Sequence, residues 1–240
     1  MKTIGLIGGM SWESTALYYQ IVNRETARRL GGLNSAPMNV ISLNFADIAE
    51  RQRNDDWHGM GNILVDAARR LENAGADCVL IGTNTMHKLA PQVQAGIGVP
   101  LLHIADVTAA AILAKGITRV GLLGTRFTME QPFYVDRLAS HGVECVVPTA
   151  LQRAEVHRII FEELCKGEIS DTSRQTLQTI CVDLATRGAE DSAHGGAQGI
   201  VLGCTELPMI LRSKDVALPL FDTTTLHALA AVDFALSHSH

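Results

Sequence analysis

The feature of this sequence that most restricts its fold is an internal repeat. Residues 4–15 (IGLIGGMSWEST) resemble residues 120–131 (VGLLGTRFTMEQ), and residues 76–90 (ADCVLIGTNTMHKLA) resemble residues 197–211 (AQGIVLGCTELPMIL). A similar apolar segment follows each copy of the second block, at residues 98–106 in the first half and at residues 217–225 in the second. The offset is 116 residues between Gly5 and Gly121, and 121 residues between Thr83 and Cys204. Because the blocks keep one order at nearly one offset, the chain is predicted to fold as two equivalent halves.

Each half is predicted to be an α/β domain. Short apolar runs alternate with segments of helical periodicity, which is typical of parallel sheets covered by helices on both faces. Strands are predicted at 3–7, 38–43, 78–81, 101–104, 119–123, 144–147, 199–202 and 218–221, and helices at 14–29, 60–74, 107–114, 132–141, 155–165 and 171–186. The first domain comprises residues 1–106 plus a C-terminal helix at 224–240 that crosses back to it, and the second comprises residues 107–223. We expect each to hold a mainly parallel sheet flanked by helices, with a pseudo-two-fold axis relating the two and the active site in the cleft between them.

The composition argues against several classes of protein. Of the 240 residues, 47% are hydrophobic and only 19% are charged, so the chain is too apolar for a disordered protein. The net charge of −5 and the absence of a basic stripe make nucleic acid and anionic membranes unexpected partners. No apolar run reaches the roughly 18 residues that span a bilayer. The N-terminus is interpreted as a first core strand and not as a signal peptide.

The cysteines indicate a reduced, cytoplasmic protein, because they are five in number and form no C-x-x-C pair. Cys78, Cys145 and Cys181 lie among apolar neighbours and are interpreted as inert core residues. No His, Cys and Asp spacing suggests a metal site. The histidines at the C-terminus, within residues 236–240, are interpreted as part of a frayed tail.

Polar side chains end both copies of the repeated strand, Thr83 in the first and Cys204 in the second. Ligands of open α/β sheets bind beyond the carboxyl ends of the strands, so residues 8–11, 83–85, 124–128 and 204–206 are predicted to line one pocket. Two reactive groups on opposite walls suit the removal of a proton from one face of a carbon and its return to the other. A helix starting after Cys204 would favour a thiolate base there. Glu206 could accept a hydrogen bond from the thiol or oppose its ionisation, and Cys204 could also be an ordinary packing residue.

The segments GLIGGMSWESTALYY, GTNTMH, GLLGTRFTM and VLGCTELP resemble the aspartate/glutamate racemase family, in particular its aspartate-racemase-like branch. The resemblance implies two similar α/β domains, a symmetric homodimer, and cofactor-independent racemisation of acidic amino acids by two cysteines, one in each domain. The second cysteine of the family matches Cys204, whereas Thr83 stands in the position of the first. A threonine hydroxyl has too high a pKa to act as an unaided base near neutral pH. We therefore expect Cys204 to take the α-proton from an L-amino acid, with Thr83 on the opposite face and a preference for L-substrates.

The resemblance also suggests residues that bind the substrate. Met10 lies in the first matching segment, Gln52 in the segment after the second strand, and Lys166 in the segment FEELCKGEI, where it would approach the distal carboxylate. Arg51, Arg53 and Arg126 are further candidate cations, although any of these basic residues could lie on a solvated surface. The donors available to the α-carboxylate are Asn84, Thr85, Thr125, Thr128 and Thr205. Each of them could instead cap a helix.

Two other functions remain open. A single cysteine suits a decarboxylase of the same superfamily that protonates a carbanion, and the loss of one base suits a non-catalytic protein that binds acidic amino acids. The glycines of GLIGGMSW do not follow the G-x-G-x-x-G pattern, and the chain has neither a Walker motif nor a lysine typical of a Schiff base. No nicotinamide, pyridoxal phosphate, ATP or metal is therefore expected.

Overall fold

The computed structural model describes residues 1–187 and 195–237. The predicted tail extends to residues 238–240, which lie outside the described part. Contacts divide the chain into two units, here called unit 1 (Met1–Ile104 with the segment that begins at Thr224) and unit 2 (Ala105–Thr223). Each unit contains one parallel sheet with helices around it, which confirms the predicted α/β class.

Unit 1 contains a three-stranded parallel sheet with the order β2-β1-β3. The strands are β1 (Ile4–Gly8), β2 (Met38–Ser42) and β3 (Cys78–Ile81), and Ile4 of β1 aligns with Met38 and with Cys78. The helices of this unit are α1 (Trp12–Leu30), α2 (Phe45–Arg53), α3 (Trp57–Asn73), α4 (Ala90–Ala95) and α11 (Thr223–Leu236), which begins at the boundary. The segment that follows Thr223 thus forms a helix of unit 1.

Alternation along β1 and β3 builds a core on each face of this sheet. Ile7 and Ile81 belong to one apolar cluster, which includes side chains of α3. Leu6 and Leu80, one position earlier, belong to the other cluster. That second cluster also contains Tyr18 and Val22 of α1, with Ala228, Ala231, Val232 and Ala235 of α11. Successive strand residues point to opposite faces, so strands buried on both sides are apolar throughout.

The predicted strand 101–104 is wrong over most of its length. Leu101 forms a single parallel bridge to Val79, and the Leu102 N–H donates to the Val79 carbonyl at 3.0 Å. The pairing stops there because the Ile104 N–H donates to the His87 ring at 3.2 Å, and helix α5 (Ile104–Leu113) begins at that residue.

Unit 2 repeats the topology of unit 1 with one more full strand. Its parallel sheet has the order β5-β4-β6-β7. The strands are β4 (Arg119–Gly124), β5 (Glu144–Val146), β6 (Ile200–Gly203) and β7 (Leu220–Asp222). The helices are α5, α6 (Arg126–Glu130), α7 (Pro132–Ser140), α8 (Ala150–Arg158), α9 (Asp171–Thr186) and α10 (Leu207–Ile210). Strands β2, β1 and β3 therefore correspond to β5, β4 and β6, and the bridge at Leu101 takes the place of β7.

The predicted helix 155–165 is also wrong in its bounds. Helix α8 starts earlier because the Thr149 side chain and Gln152 form a capping box. It then changes to a π-helical turn (Ile159–Glu163) and a 3₁₀ turn (Leu164–Lys166), and the chain leaves this turn at Gly167 with φ 78°. Cys165 and Lys166 consequently lie on an exposed turn and not within an α-helix.

The cysteines that were interpreted as core residues differ in burial. Cys78 and Cys181 are buried, as expected of packing residues, and desolvation raises the pKa of each thiol to about 12. Cys145 is only half-buried, so its interpretation as a core residue was too simple, although burial again raises its pKa to about 12. In the ranges 1–187 and 195–237 no helix is long and apolar enough to cross a membrane.

Candidate functional site

In unit 1 the turn after β3 holds three of the predicted site residues. Thr83 is half-buried, and Asn84 and Thr85 are buried. The Gly82 N–H donates to the Ile7 carbonyl at 2.9 Å, and the Thr83 N–H donates to the Ile81 carbonyl at 2.8 Å. The Thr83 carbonyl accepts a hydrogen bond from His87 Nδ1 at 2.8 Å. Backbone hydrogen bonds and one histidine ring thus fix the position of Thr83.

The loop between β1 and α1 requires glycine. Gly9 has φ +82°, and a Cβ there would collide with the backbone of Leu43. The Gly9 N–H donates to the Thr15 hydroxyl at 2.8 Å. Met10 follows, and its side chain packs into the apolar cluster that contains Ile7 and Ile81. Only 6% of Met10 is exposed.

Helix α2 carries three of the predicted substrate contacts. Gln52 is half-buried, while Arg51 forms an ion pair with Asp56. Arg53 is exposed, and no carboxylate of the described residues lies within 4.0 Å of its guanidinium. Of the two arginines, Arg51 already has a carboxylate partner.

A histidine cluster lies next to the Thr83 turn. The ring centroid of His87 lies 4.7 Å from that of His103 and 5.6 Å from that of His227. His227 Nε2 faces the Leu102 carbonyl at 2.7 Å, and its Nδ1 faces the Tyr18 hydroxyl at 2.8 Å. A carbonyl can only accept, so Nε2 carries a proton, and the lowered pKa of the ring makes the neutral Nε2–H tautomer the form at neutral pH. These histidines were not predicted as site residues, and the signal for them in the sequence is a histidine four residues after Thr83.

Because desolvation lowers the pKa of His227 to about 4, the cluster should make the fold sensitive to acid. The unfolded chain binds this proton near pH 6.5, whereas the folded chain binds it only near pH 4. We therefore expect this residue to cost about 3 kcal/mol of folding free energy as pH falls from 6.5 to 4. Burial and the two neighbouring rings also lower the pKa of His87, which adds to the loss.

The measurement is urea unfolding at pH 7 and pH 4.5. His227→Gln should be less stable than the wild type at pH 7, because the Tyr18 and Leu102 hydrogen bonds are disturbed, and should lose less stability on acidification. His58→Gln, on an exposed face of α3, is the matched control and should keep the wild-type pH dependence. An identical acid sensitivity in His227→Gln would contradict this account.

In unit 2 the strand end after β6 holds Cys204, which is 8% exposed. Its thiol donates to Glu206 Oε2 at 2.9 Å, and the Thr205 hydroxyl donates to the same oxygen at 2.7 Å. Thr205 and Glu206 are buried as well. A thiol, a hydroxyl and a carboxylate therefore form one buried hydrogen-bonded group.

The expectation that a helix start would favour the thiolate is wrong for this state of the protein. Desolvation raises the pKa of the Cys204 thiol well above its ordinary value, and the charge of Glu206 and the hydrogen bond to it raise it further. The Glu206 backbone N–H acts in the opposite direction, but α10 is only four residues long and its contribution is smaller. Both roles left open for Glu206 hold, because it accepts the thiol hydrogen bond and opposes ionisation.

The loop after β4 holds two more predicted contacts. Thr125 caps α6 by accepting from the Thr128 N–H at 3.4 Å, and the two hydroxyl oxygens lie 3.2 Å apart. Thr128 is fully buried, whereas Thr125 is 9% exposed. The Arg126 N–H donates to His157 Nδ1 at 3.3 Å. Both threonines thus take part in local capping, as threonines at helix starts commonly do.

Lys166 is another predicted substrate contact of unit 2. It lies on the exposed 3₁₀ turn, and within the described part of the chain no carboxylate oxygen comes within 4.0 Å of its ammonium. In residues 1–187 and 195–237, no group of three or more His, Cys, Asp and Glu side chains could hold a metal ion.

The duplicated α/β fold, with Cys204 at the carboxyl end of a parallel strand, agrees with the resemblance to the racemases, and comparison with known proteins shows the family. The model of the Asp/Glu/hydantoin racemase family matches residues 7–231, so the chain belongs to this family. The predicted family and the predicted enzyme class, an isomerase, are thereby confirmed.

Three similar proteins illustrate the relationship. A Yersinia pestis protein assigned as an Asp/Glu racemase is 47% identical, with a TM-score of 0.91 over 99% of this chain and 100% of that chain. An aspartate racemase homologue from Pyrococcus horikoshii is 34% identical, with a TM-score of 0.84 over the same shares of each chain. The broad specificity amino-acid racemase RacX of Bacillus subtilis is 26% identical over 98% of this chain and 99% of its own length.

Proposed function

We propose that this protein is a cofactor-independent racemase of acidic amino acids that acts preferentially on the L-enantiomers. The observation that carries the proposal is the buried Cys204 thiol at the end of β6, hydrogen-bonded to a carboxylate in a chain of the racemase family. In this proposal Cys204 takes the α-proton, and Thr83 lies on the opposite face of the α-carbon. The protein would work in the cytoplasm as a homodimer, without partners among nucleic acids or membranes.

The different chemistry of the two side chains supports the L-preference. A thiol can be converted to a strong base near neutral pH, whereas a threonine hydroxyl cannot. Thr83 can still pass a proton from water to a carbanion, since a hydroxyl both donates and accepts hydrogen bonds. Abstraction from the Cys204 side would therefore be fast, and abstraction from the Thr83 side slow.

The polar groups near the two strand ends support an amino acid as the substrate. Asn84, Thr85, Thr125, Thr128 and Thr205 would offer hydroxyl or amide donors to the α-carboxylate. Lys166, an exposed cation with no carboxylate within 4.0 Å in the described part of the chain, would attract the distal carboxylate, with Gln52 and Met10 as further contacts. An acidic side chain also agrees with the names of the relatives from Yersinia pestis and Pyrococcus horikoshii.

The test is the exchange of the α-proton in deuterated water, followed by proton NMR. L- and D-aspartate and L- and D-glutamate are incubated separately, with L-alanine as a control that lacks the distal carboxylate. We expect at least one L-enantiomer to lose its α-proton signal about 100-fold faster than its D-enantiomer, as the loss of one general base predicts. Equally rapid deuteration from both enantiomers would contradict the one-sided mechanism. Absence of exchange from all four acids would contradict the proposed function.

A further inference from the structure

Basic side chains surround a small cavity in unit 2 that has no part in the proposed racemisation. The cavity has a volume of about 130 Å³ and lies where α9 meets the turn that follows α10. Three of the five residues that line it are cations and one is a carboxylate. The lining consists of Arg174, Ile210, Arg212, Lys214 and Asp215. None of the predicted catalytic or substrate-binding residues is among them, so the cavity is a second candidate site within this unit.

Hydrogen bonds fix the walls of this cavity. Arg174 Nε donates to the Ile210 carbonyl at 3.1 Å and so joins α9 to the end of α10. The Arg212 N–H donates to Asp215 Oδ2 at 2.9 Å, and the Asp215 N–H donates to the Arg212 carbonyl at 2.8 Å. Gln178 of α9 donates to the Asp215 carbonyl at 2.9 Å. The turn after α10 is thus closed on itself and attached to α9.

The positive charge of the lining is not balanced by nearby carboxylates. Asp171, the partner of Arg174, has a side chain that is 85% exposed. Within residues 1–187 and 195–237, no carboxylate oxygen lies within 4.0 Å of the Arg212 guanidinium or of the Lys214 ammonium. A concave surface lined by charges of one sign concentrates ions of the opposite sign. The cavity therefore favours an anion, although the net charge of the whole chain is −5.

The size of the cavity and the types of its cations restrict the anion. A volume of about 130 Å³ corresponds to roughly four water molecules, which is enough for one phosphate group but not for a nucleoside. A guanidinium binds two oxygens of a phosphate at once, and an ammonium adds a compact charge. We propose that this cavity binds a phosphate group, either as inorganic phosphate or as the phosphate of a monoester whose organic part stays in solvent.

The experiment is a titration of the ¹⁵N-labelled full chain with inorganic phosphate, followed by two-dimensional NMR of the amide signals. Chloride keeps the ionic strength constant, so that general screening by salt does not change. The amide signals of Arg174 and of residues 212–215 should shift and saturate, with a dissociation constant on the order of 1 mM or lower. A second titration with glycerol 3-phosphate distinguishes the two sources. Tighter binding than that of inorganic phosphate would identify a monoester as the ligand, and weaker binding would identify the free ion.

The double variant Arg212→Gln/Lys214→Gln tests whether these two cations hold the phosphate. The hydrogen bonds that Arg212 forms with Asp215 come from its backbone, so the turn should keep its shape. We expect phosphate binding to weaken by at least about tenfold, because charge-assisted hydrogen bonds are lost. Arg24→Gln/Lys115→Gln is the matched control, since it removes one arginine and one lysine from exposed positions that do not line the cavity. The control should bind phosphate as the wild type does.

Two results would overturn the proposal. One is the absence of a saturable shift at Arg174 and at residues 212–215 in the wild type. The other is an equal loss of affinity in both double variants, which would indicate an effect of net charge and not of a site. If Arg212→Gln/Lys214→Gln does not fold, as judged by circular dichroism, the shifts of the wild type alone decide. The titration does not involve the exchange of α-protons, so its outcome is independent of the proposed function.

Discussion

Replacing Cys204 by alanine is expected to abolish the exchange of the α-proton of L-aspartate and L-glutamate in deuterated water. The loss should be about 10³-fold, within the range measured when a general base is removed, because alanine has no group that can accept the proton. Cys204 is buried and alanine is smaller than cysteine, so the fold of the variant should persist. Proton NMR of the α-proton signal measures the effect directly.

Cys145→Ser is the matched control for this variant. It removes another thiol of unit 2, but one that lies half-buried on strand β5 and is not among the groups that shift the pKa of Cys204. It should keep most of the exchange activity with the L-enantiomers. Residual activity of Cys204→Ala near that of Cys145→Ser would contradict the assignment of Cys204 as the base. Unchanged binding of L-aspartate, together with no exchange in either the wild type or Cys204→Ala, would favour a binding protein.

If the proposed mechanism holds, replacing Thr83 by cysteine is expected to add a second base. The exchange of the α-proton of D-aspartate or D-glutamate should increase by about 100-fold or more, since a thiol ionises far more readily than a hydroxyl. Exchange from the L-enantiomers should change much less, because the proposed mechanism has their proton taken by Cys204. The half-buried position of Thr83 leaves room for a side chain of similar size. The measurement is the ratio of the D- and L-rates in deuterated water.

Thr83→Ser separates the chemistry of the group from its size. Serine keeps the hydroxyl and loses only a methyl group, so D-exchange should remain at the wild-type rate. An increase in Thr83→Ser comparable to that in Thr83→Cys would show that space, and not a thiol, limits abstraction from that side.

The fold was predictable because the sequence contains it twice. Strand β3 (Cys78–Ile81) and helix α9 (Asp171–Thr186) have the predicted bounds, because β3 is a short continuous apolar run, α9 has helical periodicity, and both have clear ends. The repeat also anticipated the matching strand orders of the two sheets. Agreement between local pattern and repeat is what makes such predictions firm.

Features that depend on distant residues were not predictable. The segment after Leu101 looks like a strand, but His87, which is remote in sequence, takes the Ile104 N–H and starts a helix. Similarly, the motif after Cys204 suggests a helix that lowers the pKa of the thiol, whereas desolvation and the orientation of Glu206 raise it. Burial and side-chain direction are properties of the folded chain. A local motif therefore does not determine whether they raise or lower the pKa of a thiol.

The discontinuity of unit 1 has a consequence for synthesis on the ribosome. Side chains of β1, β3 and α1 share one apolar cluster with Ala228, Ala231, Val232 and Ala235 of α11. The N-terminal strands therefore emerge first but lack part of their core until α11 is made, whereas every strand of unit 2 has emerged by then. Domains usually fold in the order of their synthesis. In this chain the order should be reversed in part, with the N-terminal unit completing its core after the unit that follows it.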